Sequence, residues 1–182
     1  EQLLADVTAT FHRGDTGGVS HQDAMPTDIA GPEGLDNIET LVRQHQERIP
    51  SEAVDSMTRP TPVELRPVHP DAFFERPATT GELFYWVRIK APLPEAAPLH
   101  YQAFAFMSDW WLSVPGFMQH TKTVASDSFF VVSLNHTLWF HARPKADDWL
   151  LVHARSPAAS HGRGLILGTA WDRQGTLVAH MA

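Results

Sequence analysis

Cysteine does not occur among the 182 residues of this sequence, and its absence excludes several classes of chemistry. The protein forms no disulfide, offers no thiolate to a metal ion and has no cysteine nucleophile. Without cysteine, the sequence also gives no indication of the redox environment.

An excess of basic residues and a long apolar run are also missing. The 14 Lys and Arg residues are outnumbered by 21 Asp and Glu residues, and the net charge is −7. Because a nucleic-acid surface needs basic groups to neutralise phosphates, this balance argues against a nucleic-acid partner. No apolar run approaches the ~20 residues of a membrane-spanning helix, so no membrane span is expected. A hydrophobic content of 43% with 19% charged residues is typical of a globular domain.

The first third of the sequence is only weakly patterned. Residues 1–12, EQLLADVTATFH, alternate between polar and apolar side chains, which predicts a strand. Residues 13–34 are rich in Gly, Pro, Asp and Ser and predict a long connection. Helical spacing of four apolar side chains predicts a short amphipathic helix within residues 35–48, and residues 63–66 predict a short strand.

From residue 82 the pattern becomes stronger. Residues 82–91 predict a strand, and residues 98–114 are apolar almost all round, which predicts a buried helix ended by Pro115-Gly116. Consecutive strands are then predicted at 128–141, 148–158, 162–172 and 176–182, with Gly175 in the turn between the last two. In the first of these strands, one face carries Phe130, Val132, Leu134, Leu138 and Phe140. This order predicts an α+β fold, an antiparallel sheet wrapped around a central helix.

Two stretches in the second half resemble one known family. They are SLNHTLWFHARPKADDWLL (133–151) and SPAASHGRG (156–164). Both are similar to the second half of the acyl-CoA thioesterase II family, double hot-dog enzymes that hydrolyse acyl-CoA to free fatty acid and CoA. The resemblance is densest over residues 128–182 and extends less strongly back to about residue 60.

The resemblance implies a domain organisation and partners. Residues 1–12 are expected to be the last strand of a preceding N-terminal hot-dog repeat, 13–60 a linker with a short helix, and 61–182 the C-terminal hot-dog domain. The sequence is therefore expected to be the second half of a two-repeat protein. Its implied partners are an acyl-CoA substrate, the N-terminal repeat of the same chain and further copies in a homo-oligomer. The implied location is intracellular, either cytoplasmic or peroxisomal.

The resemblance also accounts for a carboxylate in the apolar run FAFMSDWWLS (104–113). A buried carboxylate costs free energy unless it is paired or hydrogen-bonded, so Asp109 needs a reason to be there. The family's catalytic Asp matches Asp109, and its Thr or Ser on the facing strand matches Ser133. Its third partner, a Gln, is expected directly after Ala182. Together these groups imply hydrolysis by an Asp-activated water, with no cofactor and no metal ion.

Four residues are candidates for substrate binding. The family usually has Tyr or Phe after the catalytic Asp, whereas this sequence has Trp110 and Trp111, whose indoles are expected to reshape the acyl tunnel. Arg143 and Arg163 are candidate partners for the CoA phosphates, with a solvated turn as the alternative for Arg143. The family's Asp before the His is Asn135 here, a second departure from the pattern.

From the residues alone, Asp109 has a structural interpretation as well. Ser108-Asp109 is a reasonable N-cap pair for a helix that begins at Trp110. His136 and His141 resemble metal ligands, but five positions apart on a strand they point to opposite faces, so a core or edge position is expected for each. No other spacing of His, Asp and Glu suggests zinc.

Two functions compete with thioester hydrolysis. One is a hot-dog hydratase or dehydratase acting on an acyl thioester, which a histidine held against Asp109 would favour. The other is a non-catalytic acyl-CoA-binding protein that keeps the fold. A non-polar residue directly after Ala182 would favour this last interpretation.

Overall fold

The computed structural model of the chain describes residues 6–15, 17–74, 80–120 and 131–182. Its helices and strands, in chain order, are α1 (Ile38–Gln44), α2 (Ser51–Met57), β1 (Val63–Pro67), α3 (Pro70–Phe74), β2 (Glu82–Ile89), α4 (Ala97–Ser108), α5 (Val114–Met118), β3 (Leu138–Phe140), β4 (Leu150–Ser160), β5 (Arg163–Asp172) and β6 (Leu177–Met181). Short turns of 3-10 helix lie at Pro32–Gly34 and Gln46–Arg48.

The described strands form one six-stranded antiparallel sheet in the order β1-β2-β4-β5-β6-β3. The strands predicted within 82–91, 148–158, 162–172 and 176–182 are confirmed as β2, β4, β5 and β6, with ends that differ by a few residues. The predicted turn between the last two is confirmed as well, since Gly175 has a φ of +84° that glycine adopts without strain.

One face of the sheet packs against the helices. Successive side chains of a strand point to opposite faces, so Leu83, Tyr85 and Val87 of β2 share this face. They join one buried cluster with Phe104 and Met107 of α4. The apolar side chains on this face of the strands, which the alternating pattern predicted, therefore hold the central helix against the sheet.

The other face has a smaller core of its own. Neighbouring strands align one row across it, and this row contains Trp86, Leu151, Trp171 and Leu177. The connection near the start of the chain covers the row. The Trp86 indole donates to the Ala30 carbonyl at 2.8 Å, and the Trp171 indole donates to the Asp23 carbonyl at 2.9 Å. Buried indole N–H groups need hydrogen-bond acceptors, and the connection supplies them for both tryptophans.

A helix predicted over 98–114 is present, but its predicted C-terminal end is wrong. α4 ends at Ser108, Asp109 is its C-cap, and a turn leads into a separate helix, α5, at Val114. Pro115 lies in the first turn of α5, where a missing N–H costs nothing, so it begins this helix instead of ending the previous one. The alternative N-cap role of Ser108-Asp109 is therefore wrong too.

The predicted strand over 128–141 is mostly absent from the described residues. β3 covers only Leu138–Phe140, while 131–137 is irregular, and 128–130 with Phe130 lie outside the described residues. Val132 and Leu134 are exposed. Of the strand predicted at 1–12, residues 1–5 also lie outside, and 6–12 have no strand pairing. The assignment of 1–12 to a preceding repeat stays a prediction.

Candidate active site

The end of α4 brings the two predicted catalytic residues together. The Ser133 hydroxyl donates to Asp109 Oδ1 at 2.8 Å, although 24 positions separate the two residues. Both side chains are exposed. Within the described residues, the second carboxylate oxygen has no hydrogen-bond partner, so it can bind a small polar molecule. The contact agrees with the expected pairing, and the catalytic role of both residues stays a prediction.

Buried Tyr85 supports the turn that carries Asp109. Its hydroxyl donates to the carbonyl of Trp110 at 3.2 Å, and the Trp110 amide in turn donates to the Met107 carbonyl at 3.1 Å. Tyr85 is only 1% exposed. Burial, with a smaller contribution from the negative charge of Asp109, raises the pKa of the Tyr85 hydroxyl well above 10.0. The tyrosine therefore stays neutral and keeps its donor hydrogen throughout the physiological range.

We expect the Tyr85 hydroxyl to make the protein sensitive to alkali. Because the pKa of Tyr85 is raised in the folded state, its stabilising contribution is complete below about pH 10 and is lost as the pH rises further. Urea unfolding at pH 8 and pH 11 should show a steeper loss of unfolding free energy for the wild type than for Tyr85→Phe. Equal losses in both proteins would contradict this assignment. The variant should be less stable by about 1 kcal/mol at pH 8, since one buried hydrogen bond is removed.

The two tryptophans after Asp109 line a cavity of about 400 Å³. Its apolar lining also includes Ile38, Met57, Pro60, Val63 and Leu65. Trp111 has a φ of +64°, a left-handed conformation that is uncommon for a bulky residue and costs about 1 kcal/mol or more. This residue lies within the turn that redirects the backbone from α4 to α5. The predicted tryptophans thus lie beside Asp109 in sequence and line an apolar space.

Sequence reasoning missed the contact between His136 and α4. His136 is exposed, and its Nε2 lies 2.8 Å from the Ser108 hydroxyl oxygen, one residue before Asp109. The expectation of a strand over 128–141 obscured this contact, because side chains at 133 and 136 would then point to opposite faces. The irregular backbone of 131–137 turns Ser133 and His136 toward the same helix end.

His141 lies away from Asp109. Its Nε2 is 2.9 Å from Nδ1 of His180, whose Nε2 is 3.4 Å from a carboxylate oxygen of Asp23. Burial and the nearby His180 lower the pKa of His141. Within the described part of the chain, no cluster of three or more His, Asp or Glu side chains is arranged to hold a metal ion.

The two predicted arginines are not brought to Asp109. Arg143 donates to the Glu95 carbonyl at 2.7 Å, just before the first residue of α4. The 12 residues of α4 separate that end from Asp109 by about 18 Å. Arg163 is exposed at the first position of β5, beside the β4–β5 turn. Their binding of CoA phosphates stays a prediction.

Comparison with known families identifies the relatives of this chain. A family model described as the acyl-CoA thioesterase C-terminal domain matches residues 29–182. The chain belongs to this family. Human acyl-coenzyme A thioesterase 8 is 30% identical over 181 residues, which cover 96% of this chain and 56% of the human protein. The chain thus spans about half the length of this relative, and the family resemblance seen in the sequence is confirmed.

Solved structures confirm the hot-dog fold of this family member. The acyl-CoA thioesterase II TesB2 from Mycobacterium marinum has a TM-score of 0.68 and 31% identity, covering 92% of this chain and 56% of that one. A hot-dog protein from Alicyclobacillus acidocaldarius, at 20% identity and a TM-score of 0.61, covers 92% of this chain and 56% of that one and supports the fold alone. None of the described helices combines the length and apolarity needed to cross a bilayer.

Proposed function

We propose that the full-length protein hydrolyses acyl-CoA to a free fatty acid and CoA, with a water molecule held by Asp109 and Ser133 as the nucleophile. The observation that carries the proposal is the 2.8 Å hydrogen bond between these two side chains at the exposed end of α4. It stands in a chain of the acyl-CoA thioesterase family, whose human and mycobacterial members are named as thioesterases.

The acceptor oxygens of Asp109 and Ser133 are suited to binding the water that this reaction needs. Asp109 Oδ1 accepts from Ser133, so Oδ2 remains to accept one hydrogen of a water molecule, and the Ser133 oxygen can accept the other. Water held by two acceptors keeps its lone pair directed at the thioester carbon. As the carbon–oxygen bond forms, the water proton passes to Asp109. Collapse of the tetrahedral intermediate breaks the carbon–sulfur bond, and the CoA thiolate takes up the proton that Asp109 accepted, which restores the carboxylate.

The Gln expected after Ala182 completes this arrangement. Thr137 and Ala182 exchange backbone hydrogen bonds of 2.8 and 3.1 Å, which hold the end of β6 beside residues 131–137. Strand alternation gives the residue after Ala182 the same face as Met181, which is buried on the helix side of the sheet. We propose that the amide of this expected Gln also orients the water.

The cavity lined by Trp110 and Trp111 is the proposed acyl-binding site. Trp110, the residue directly after Asp109, is part of its lining, which is apolar apart from a few groups such as Arg59. Apolar lining favours an alkyl chain by removing it from water, at about 25 cal/mol per Å². The indoles then limit the length of chain that fits.

We expect Trp110→Ala to shift the preferred acyl length upward. Removing the indole enlarges the cavity, so the ratio of kcat/KM for C16 over C6 substrates should rise about tenfold. The measurement is release of CoA thiol by the full-length protein over a C4–C18 acyl-CoA series. Trp110→Phe keeps an aromatic ring and should change the ratio less. An unchanged ratio in Trp110→Ala would place the acyl chain elsewhere.

Exposed apolar side chains support the proposed N-terminal repeat as a partner within the same chain. The surface formed by α4 and residues 131–140 exposes Phe106, Val131, Val132, Leu134 and Phe140. Among the described strands, β3 is also at the edge of the sheet and pairs with β6. Apolar edges of this kind invite pairing with another sheet, so we propose that a first hot-dog repeat covers this surface and that further copies assemble. An intracellular location, cytoplasmic or peroxisomal, follows from an acyl-CoA substrate.

The same assay distinguishes the competing functions. Release of thiol without a change in the acyl chain supports the thioesterase. Tight binding of acyl-CoA without turnover would indicate the non-catalytic alternative, and reversible hydration of an enoyl-CoA would indicate the hydratase. The described hydrogen bonds place His136 on Ser108, whereas a hydratase pair requires a histidine on Asp109.

A further inference from the structure

The geometry points to His136 as the residue that positions Ser133 against Asp109, through a hydrogen bond from its Nε2–H to the Ser108 hydroxyl. This inference rests on the proposed function and assigns His136 no contact with the reacting atoms. It differs from the sequence-based expectation of a core or edge histidine.

The hydrogen on Nε2 follows from counting donors around Ser108. A serine hydroxyl has one hydrogen, and that of Ser108 is donated to the Ala105 carbonyl at 2.9 Å. The Ser108 oxygen therefore has only lone pairs to offer to His136 Nε2, 2.8 Å away. The imidazole must then be the donor, which requires hydrogen on Nε2.

Two side-chain hydrogen bonds join the segment that carries Ser133 to the end of α4. Residues 131–137 precede β3 and have no regular structure, and Leu134 is 77% exposed. Thr137 is tied to Ala182 through backbone hydrogen bonds. Upstream of it, two side-chain bonds reach the end of α4, from His136 to Ser108 and from Ser133 to Asp109.

These two bonds end on consecutive residues of α4, so each holds the backbone for the other. If His136 is removed, one of these two bonds is lost, and the segment is held less firmly against the end of α4 while Ser133 orients water. The segment then samples positions in which the hydroxyl is misplaced, and kcat falls because fewer molecules hold a correctly oriented nucleophile. Substrate contacts in the tryptophan-lined cavity are untouched, so KM should change little.

The test compares His136→Ala, His136→Gln and His141→Ala in the full-length protein. His136→Ala is expected to lower kcat about tenfold, the loss of about one hydrogen bond, with KM within about twofold of wild type. His136→Gln offers an amide N–H to Ser108 and should recover most of kcat. His141→Ala is the matched control, because this histidine bonds to His180 away from Asp109, and its kcat should stay at the wild-type level.

A double-mutant cycle and a spectrum complete the test. Ser108→Ala combined with His136→Ala should lower kcat no further than the larger single effect, because both remove one interaction. Two-dimensional ¹H–¹⁵N spectra of the imidazoles should show His136 protonated at Nε2. An unprotonated Nε2, a wild-type kcat in His136→Ala, or additive effects in the cycle would each overturn the inference.

These outcomes stay distinct from failure of the proposed function. If the wild type releases no thiol, the thioesterase proposal fails and with it the effect of His136 on kcat. The imidazole spectrum, which needs no activity, still decides whether the bond to Ser108 exists. If His136→Ala does not fold, the comparison of His136→Gln with Ser108→Ala decides, since only the latter should lower kcat.

Discussion

Replacing Asp109 by Asn is expected to lower kcat for acyl-CoA hydrolysis by about 10²- to 10⁴-fold, the range that general base catalysis contributes. The amide oxygen still accepts the hydrogen bond that Ser133 donates at 2.8 Å, so the local geometry should persist. The amide cannot take a proton from water, and only the chemical step should suffer. KM is therefore expected to stay within about threefold of wild type. The measurement is thiol release by the full-length variant.

The same substitution should not destabilise the fold. Asp109 is the C-cap of α4, where the partial negative charge of the helix end opposes a carboxylate. Neutral Asn removes that repulsion, so the free energy of unfolding should be unchanged or higher by about 0.5 kcal/mol. A carboxylate kept at an unfavourable position is better explained by function than by stability. Asp28→Asn, a change at an exposed linker carboxylate, is the charge-matched control.

Two results would contradict this role of Asp109. Retention of more than about a tenth of kcat would mean that another group accepts the proton. A parallel loss of activity and of folding stability would mean that Asp109 is structural after all. The control must keep wild-type activity for either result to count.

Replacing Glu64 by Ala is expected to lower the free energy of unfolding by about 3 kcal/mol. Glu64 is only 7% exposed and accepts from Arg66 at 2.6 Å and from Arg88 at 2.7 Å. Both guanidinium groups also lie over the Trp149 ring, at 5.0 and 4.4 Å from its centroid. Truncating Glu64 removes the carboxylate that both guanidinium groups share. Two positive charges then remain close together on the sheet face opposite the helices.

The effect should extend to the connection over that face. Arg66 also donates to the carbonyls of Pro32 and Leu35 at 2.7 and 3.1 Å, so it ties residues 32–35 to β1. Urea unfolding of Glu64→Ala at pH 7 measures the loss. Glu33→Ala breaks an ion pair with Arg173 whose two side chains are 63% and 39% exposed, and it should change the unfolding free energy far less. Equal losses in the two variants would refute a special role for the Glu64 cluster.

The pH dependence of this contribution has a definite sign. Burial alone would raise the pKa of Glu64, but hydrogen bonds from Arg66 and Arg88 outweigh it and hold the pKa below 4.5. A carboxyl whose pKa is lowered in the folded state stabilises the protein above its unfolded pKa and loses that contribution on acidification. Between pH 5 and pH 3, the wild type should therefore lose more unfolding free energy than Glu64→Ala.

The sequence by itself predicted the strands β2, β4, β5 and β6. Residues 82–91 and 148–182 carry alternation and turn residues such as Gly175, which act over a few neighbouring positions. β4, β5 and β6 also pair with their neighbours in sequence, whereas the pairing of β2 with β4 joins distant parts of the chain. The family resemblance implied that Asp109 and Ser133 form a pair, and their 2.8 Å hydrogen bond agrees with it.

Only the tertiary structure decided the details on which the site depends. α4 ends at Ser108 because the backbone turns at Trp111, although the apolar sequence continues to Val114. Residues 131–137 alternate like a strand, but in the described part of the chain they are irregular, and the side chains of Ser133 and His136 contact the end of α4. Pairing partners and helix ends are set by contacts distant in sequence, and no local pattern records them.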